Sequence, residues 1–374
     1  WWAIFDRLAQ ESEELLDDLE CIQGLEAVGE PVKVTAKSFE RTYQFPAQET
    51  KLRAGKSPCI RPATMPEDVN LRSIDYDTNT LVLRRSTAKG KLPDRLDLLP
   101  PQPLRNSVLK DAVAAVTEEI IADTGRLPAV EHLLTQAQPM FADGLRPAGI
   151  ISDDGELPTE TSRAISEMAG TTLAIQGPPG TGKTYVSALS IVNLVRAGKR
   201  VAVSSNSHKA IGNLLEAVAD RARAEGVRCS VAQKTSDQWD DFTHPGIVCV
   251  SDNDSPEIAA ADVVGATAWH FARYTDPAYD YLIIDEAGQV SIANLLAMAR
   301  CSRNIVLVGD PMQLPQPLQG NHPGDSGRSC LEYVIDGHRV VPSERGIFMP
   351  VSRRMHPRVC GFISTAVYEG RLGN

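Results

Sequence analysis

Gly177-Pro178-Pro179-Gly180-Thr181-Gly182-Lys183-Thr184 constrains the fold of this chain more than any other stretch. It fits G-x-x-x-x-G-K-[ST], a loop whose backbone N–H groups turn inward around phosphate oxygens. Such a loop needs a buried strand before it and a helix after it. Residues 172–176 supply a short apolar run, and residues 185–197 carry apolar side chains at helical spacing. The helix N-terminus adds a partial charge that favours an anion. In this arrangement Gly177, Pro178, Pro179, Gly180, Thr181 and Gly182 cradle phosphate. Lys183 reaches the outer phosphates, and the Thr184 hydroxyl is placed to ligate Mg²⁺.

The sequence after the loop keeps the same grammar. Apolar runs at 201–203, 246–250, 262–265, 281–284 and 304–308 alternate with helical stretches. Most of these runs are continuously apolar, as a parallel sheet covered by helices on both faces requires. The expected class is therefore α/β. Ahead of it, Trp2, Phe5, Leu8, Leu15, Leu16 and Leu19 sit at near-helical spacing, and residues 1–30 read as a helical linker. Residues 31–103 alternate in the strand manner, with a hairpin of 71–76 and 80–83 around Asp77-Thr78-Asn79, and read as a small β-barrel. In 104–150, Val108, Ala112, Val116 and Ile120 recur every four residues, and a second amphipathic stretch follows Pro128, giving a helical stalk. Glu49-Thr50-Lys51 mimics the end of a nuclease motif. It lacks a partnered Asp on a preceding strand and is read as a decoy.

Bulk properties exclude little. The net charge of −10 is not that of a simple basic nucleic-acid coat, though an acidic total is compatible with a local basic groove. The seven cysteines contain no C-x-x-C pair, which argues against a zinc ribbon and suits reduced thiols in a cytoplasmic protein. No apolar run approaches the ~18 residues that cross a bilayer, so no membrane partner is expected. The opening Trp1-Trp2-Ala3 has neither the form of a signal peptide nor an initiator Met, and the chain is read as a piece of something longer.

Five further segments carry chemistry. Residues 281–284 form an apolar strand ending in Asp285-Glu286, at the sheet edge where ligands sit. Asp285 would hold Mg²⁺ and Glu286 would orient and deprotonate an attacking water. Gln313, in the turn after the run at 304–308, can contact both the γ-phosphate and that water. Asn206, Ser207 and Lys209 follow one strand and Thr267 another; small polar residues at strand ends can grip a phosphodiester backbone. Ser207 also suits an ordinary helix N-cap. Arg353 and Arg354 lie near the end of the chain, and an arginine completing a nucleotide site neutralises the transition state of phosphoryl transfer.

In this order, GPPGTGKT at 177–184, DEAGQ at 285–289, GDPMQLPQ at 309–316 and RRMHP at 353–357 resemble superfamily 1 helicases of the branch that includes the nonsense-mediated-decay RNA helicase. SNSHKAIGNLL at 205–215 and VVGATA at 263–268 resemble that branch's nucleic-acid-contacting motifs. The tail 362–372 resembles the segment that follows RMHP in these enzymes. The likeness covers residues 171–374. The acidic first helix, the strand region and ETKLRAG at 49–55 resemble the linker and barrel of bacterial fusions of a RecB-like nuclease to such a helicase. The resemblance implies ATP and Mg²⁺ between two RecA-like lobes, with single-stranded DNA or RNA crossing both in the 5′-to-3′ direction. The first lobe would span 151–345 and a truncated second lobe would begin at 346–374. It also implies a nuclease-like domain upstream, and weak nucleotide binding with poor hydrolysis by residues 1–374 alone. By position, Lys183 and Thr184 bind phosphate and metal, Asp285 and Glu286 serve metal and water, Gln313 senses the γ-phosphate and Arg354 is the arginine finger. Two departures concern the base. No adenine-reading Gln occurs in the stretch around 161–165, and Arg353 replaces the usual Tyr before RMHP, where its planar guanidinium would stack on adenine instead. A P-loop kinase, and an ATP-gated nucleic-acid clamp that does not translocate, remain alternatives.

Overall fold

The computed structural model describes residues 2–374 apart from 11, 17, 36, 62–66, 103–105, 153, 236–243 and 315–323. Trp1, and Pro315 and Gln316 of the GDPMQLPQ segment, lie outside the described residues. The chain divides into two units, Trp1–Arg105 and Asn106–Asn374.

The first unit opens with α1 (Trp2–Ala9). Seven antiparallel strands follow: β1 (Ile22–Thr35), β2 (Ser38–Gln44), β3 (Pro58–Arg61), β4 (Glu67–Asp68), β5 (Asn70–Asp75), β6 (Thr80–Ser86) and β7 (Arg95–Pro101). Their order in the sheet is β4-β3-β7-β1-β2-β6-β5. Ile60 of β3 and Leu71 of β5, from opposite ends of that order, share one core with Ile22, Leu25, Tyr43, Leu83 and Leu98, so the sheet curls around it. The hairpin expected at 71–83 is present as β5 and β6. The helical linker expected through residue 30 is not: β1 begins at Ile22, pairing Ile22 with Leu98. Gly24 and Gly29 have φ of +70° and +71°, which a helix cannot use, and the buried Ile22 and Leu25 serve the curled sheet.

In the second unit β8 (Thr172–Gln176), β9 (Val201–Ser204), β10 (Val231–Lys234), β11 (Ile247–Val250), β12 (Val263–Gly265), β13 (Tyr279–Ile284), β14 (Ser302–Gly309) and β15 (Gly346–Phe348) form one sheet, order β11-β10-β12-β9-β13-β14-β8-β15. All its pairings are parallel. The continuous apolar runs feed two cores, because successive side chains point to opposite faces. Leu173, Ile175, Val203, Ile283, Val306 and Val308 meet Ile165 of α4 (Leu157–Ser166), Ile191 of α5 (Lys183–Arg196) and Leu214 of α6 (His208–Ala224). Ala174, Ala202, Leu282, Ile284, Ile305 and Leu307 meet the other helical layer. That layer includes Val116 of α2 (Ser107–Ile121), Val130 of α3 (Pro128–Leu134), Leu295 of α9 (Ile292–Met298), Leu331 of α10 (Cys330–Ile335) and Cys360 of α11 (Pro357–Val367). Burying each Leu or Ile in this way contributes about 1.5–3 kcal/mol. Two short helices, α7 (Pro256–Ala260) and α8 (Ala268–Phe271), precede and follow β12. The helical segment expected ahead of the loop is present as α2 and α3, packed on the sheet rather than apart from it.

Two strands go beyond the sequence reading. β10 ends in Gln233 and Lys234, which hide its strand character; Gln233 is fully buried and donates from Nε2 to the His208 carbonyl at 3.0 Å. β15 extends the sheet past residue 345, where the first lobe was expected to end. A side chain at Gly346 would lie 2.6 Å from the Ala174 carbonyl oxygen, so only glycine lets β15 pair with β8. Among the described residues no helix is long and apolar enough to cross a membrane.

Candidate nucleotide and nucleic-acid site

Three neighbouring strands, β13, β14 and β8, end side by side, and the residue after each begins a candidate segment. Gly177 follows β8, and its N–H donates to the carbonyl of Gly309, the last residue of β14, at 2.8 Å. Asp310 follows β14 and Asp285 follows β13. Parallel pairing therefore carries segments more than 100 residues apart in sequence to one edge.

The loop is shaped for phosphate. Gly182 is the N-cap of α5 with φ +90°, and no side chain caps the helix, so the N–H groups of its first turn are left to a ligand. Thr181 Oγ1 donates to the Pro178 carbonyl at 2.8 Å and pins the turn. Lys183 folds back, its Nζ donating to the Gly177 carbonyl at 2.8 Å. The loop, Glu286, Gln313, Arg353 and Arg354 together line a cavity of about 440 Å³. Thr184 is exposed in its wall.

Asp285 is 7% exposed, and burial first, then the adjacent Glu286, pushes its carboxyl up to about 6. The nearby Lys183 ammonium pulls it back, which places the lysine and the acid on the same side of the molecule. Glu286 adopts φ +53° and ψ +43°, a left-handed conformation that non-glycine residues avoid. Such strain, held at a cavity wall, aims the carboxylate where regular backbone would not.

The arginine segment sits directly on the loop. The Arg353 N–H donates to the Gly180 carbonyl at 2.9 Å, and Ser352 Oγ donates to the Pro179 carbonyl at 2.9 Å. A Cβ on Gly180 would come within 2.3 Å of Arg354 Cβ, so this glycine permits the close approach. The stretch 161–165, where an adenine-reading Gln was sought, is buried at Thr161, Ser162, Ala164 and Ile165 and presents no amide side chain.

The candidate nucleic-acid residues lie along the same edge, at the ends of the adjacent strands β9 and β12. Asn206 and Lys209 are exposed and Thr267 is half-buried. Asn206 Nδ2 donates to the Gln289 carbonyl, in the turn that follows Asp285 and Glu286. Ser207 caps α6, its Oγ accepting from the Ala210 N–H at 3.1 Å, as an ordinary N-cap does. Sequence reasoning passed over Ser352, Asp310 and Tyr368. All three are buried polar residues whose partners lie far away in sequence, and only proximity to a motif could have flagged them.

A parallel sheet of this order, with a glycine-rich loop after β8 and paired acids after β13, defines a RecA-like P-loop α/β domain. Residues 158–325 match the family described as an AAA domain. The chain is similar to the DNA replication ATP-dependent helicase/nuclease DNA2 of Gallus gallus, 27% identical over 277 residues that cover 71% of this chain and 27% of that protein. The protein of the same name from Saccharomyces cerevisiae is 31% identical over 237 residues, covering 59% of this chain and 15% of that protein. The ATP-dependent helicase NAM7 of Saccharomyces cerevisiae is 28% identical over 263 residues, covering 60% and 26%. The chain thus spans about a quarter or less of the length of these relatives. Among solved structures, the arterivirus nonstructural protein 10 helicase aligns with 91% of this chain and 59% of its own at 13% identity. Its TM-score of 0.39 is too low to add weight.

Proposed function

We propose that this chain is the ATP-hydrolysing part of a superfamily 1 nucleic-acid helicase or translocase that acts on single-stranded DNA or RNA, moving 5′ to 3′. Within it, residues 22–101 serve as an inserted barrel and 151–348 as the first RecA-like lobe. The observation that carries this reading is the convergence of the loop, Glu286, Gln313 and the two arginines on one cavity. A kinase would leave Gln313 without an attacking water to orient, since its acceptor is not water.

The loop N–H groups and Lys183 bind the triphosphate. The residues fit a divalent cation: Thr184 offers a hydroxyl in the wall, and Asp285 is a buried carboxylate beside a second one, Glu286. Mg²⁺ held there would neutralise charge on the phosphates. Glu286 orients and deprotonates the attacking water, Gln313 contacts the γ-phosphate, and Arg354 neutralises charge developing on the transferred group. Asn206, Ser207, Lys209 and Thr267 grip the strand by its backbone, which gives little sequence preference.

Titration with a fluorescent ATP analogue, followed by phosphate release with and without single-stranded DNA or RNA, tests the reading. Lys183→Ala is expected to weaken nucleotide binding by about 10-fold or more, as loss of a charge-assisted contact implies. In the full-length protein, phosphate release that ignores both polynucleotides would sink it. Arg353→Ala checks the stacking proposal separately. A several-fold loss of ATP affinity that triphosphate alone does not show is the expected result, and equal losses for both would remove Arg353 from base binding.

A further inference from the structure

One helix joins two parts of the cavity wall. α11 starts at Pro357, just after the Arg353-Arg354 pair, and its C-cap is Tyr368. Tyr368 is 2% exposed, and its ring centroid lies 6.1 Å from that of Phe348 in β15. Its hydroxyl donates to Asp310 Oδ2 at 2.6 Å. Asp310 is itself 2% exposed. The same Oδ2 accepts from Gln313 Nε2 at 3.3 Å, and Oδ1 accepts from the Met312 N–H at 3.2 Å. Burial, reinforced by the Asp310 carboxylate, pushes the phenol pKa up, so the hydroxyl keeps the proton it donates.

We propose that Tyr368 is a positioning residue for Gln313. Its hydroxyl holds the buried Asp310 carboxylate in one rotamer, and that carboxylate aims the Gln313 amide into the phosphate cavity. The proposal rests on the reading of Gln313 as a γ-phosphate contact. The geometry leaves little slack. Two carboxylate oxygens serve three donors, and the short bond to Tyr368 is the one that fixes the group from the core side. Without it the carboxylate keeps only the longer bonds to the Met312 N–H and the Gln313 amide, and the aim of that amide loosens. Tyr368 lies 55 residues beyond Gln313 in sequence, on the helix that follows the arginines, so the aim of the amide depends on where α11 sits. The simpler account, that Tyr368 only fills the core, predicts that a phenyl ring serves as well as a phenol.

The test is the preference of the chain for a non-hydrolysable ATP analogue over ADP, measured as a ratio of Kd values by fluorescent-nucleotide titration. Tyr368→Phe keeps the ring and removes the hydroxyl. It is expected to lower that ratio by about 5-fold, the scale of one lost hydrogen bond, with ADP affinity unchanged. Gln313→Ala lowers the ratio too. In the double variant the two losses do not multiply, because both act through one amide. An unchanged ratio in Tyr368→Phe, or losses that multiply, overturns the proposal. Asp310→Asn breaks the same link from the other side, since one acceptor oxygen cannot serve three donors. It keeps the proposal falsifiable if Tyr368→Phe fails to fold, and a native ratio in this variant overturns it. A native ratio in Gln313→Ala instead sinks the γ-phosphate reading of Gln313, and this proposal with it.

Discussion

Glu286→Gln is expected to leave nucleotide affinity within a few-fold of the unaltered chain and to lower hydrolysis by about 10²–10⁴-fold, the usual worth of a positioned general base. The two effects separate because different atoms produce them. Affinity comes from the loop N–H groups, the α5 N-terminus and Lys183, none of which the substitution touches. Turnover in the proposed function needs a carboxylate at the cavity wall, and glutamine keeps the shape while losing the basicity. The left-handed backbone at Glu286 is retained, since glutamine tolerates it as well as glutamate does. Parallel binding and phosphate-release measurements check this. Unaltered turnover would remove Glu286 from the mechanism, and lost binding would show that it acts on the ground state.

Asp285→Asn is expected to do the reverse of what a core substitution does: it stabilises the nucleotide-free chain while removing magnesium-dependent activity. The Asp285 carboxyl is raised from 3.8 to about 6 by burial and by Glu286. A raised acid pKa means that the folded state binds more protons than the unfolded state between those values, so stability falls as pH rises through that window. The penalty is absent below pH 3.8 and full above about pH 6. At pH 7 it amounts to about 2–3 kcal/mol, and the neutral amide relieves it. Chemical denaturation at pH 7 and at pH 4 checks the sign: Asp285→Asn gains stability at the first and little at the second. A loss at pH 7 would mean that the carboxylate is already compensated in the fold. The wild-type cost has a use in the proposed function, because a buried acid beside a second carboxylate, which Lys183 offsets only in part, favours a divalent cation.

The strand–loop–helix around Lys183 was legible because all of its signals are local. A five-residue strand with an apolar Leu173-Ala174-Ile175 centre, a glycine-rich turn and a helical period occupy one short stretch. The runs at 201–203, 262–265, 281–284 and 304–308 were legible for the same reason, since strands buried on both faces cannot hide their composition; the run at 246–250 was legible from its apolar residues although, as an edge strand, it leaves Val248 exposed. β10 was not, because Gln233 is buried through a side-chain bond to a distant carbonyl rather than by being apolar. The start of β1 was masked by leucines upstream at helical spacing. Thr161 and its neighbours show the limit from the other side: the missing glutamine was visible, but its consequence depends on burial that composition does not report.

What the sequence determined alone is the chemistry each segment can offer. Gly177–Thr184 can wrap phosphate, Asp285 and Glu286 can bind metal and take a proton, and an arginine can meet anionic charge. What only the tertiary structure decided is that residues 179–184 of the loop, Glu286 and the arginines line one cavity, and how each group is tuned by its surroundings. The Arg353 N–H reaches the Gly180 carbonyl, Tyr368 reaches Asp310, and Asp285 meets both burial and Glu286. The physical reason is range. Turn chemistry and periodicity act over a few residues, whereas parallel pairing of β13, β14 and β8 sets neighbours across more than a hundred, and a carboxylate's pKa follows its surroundings in space.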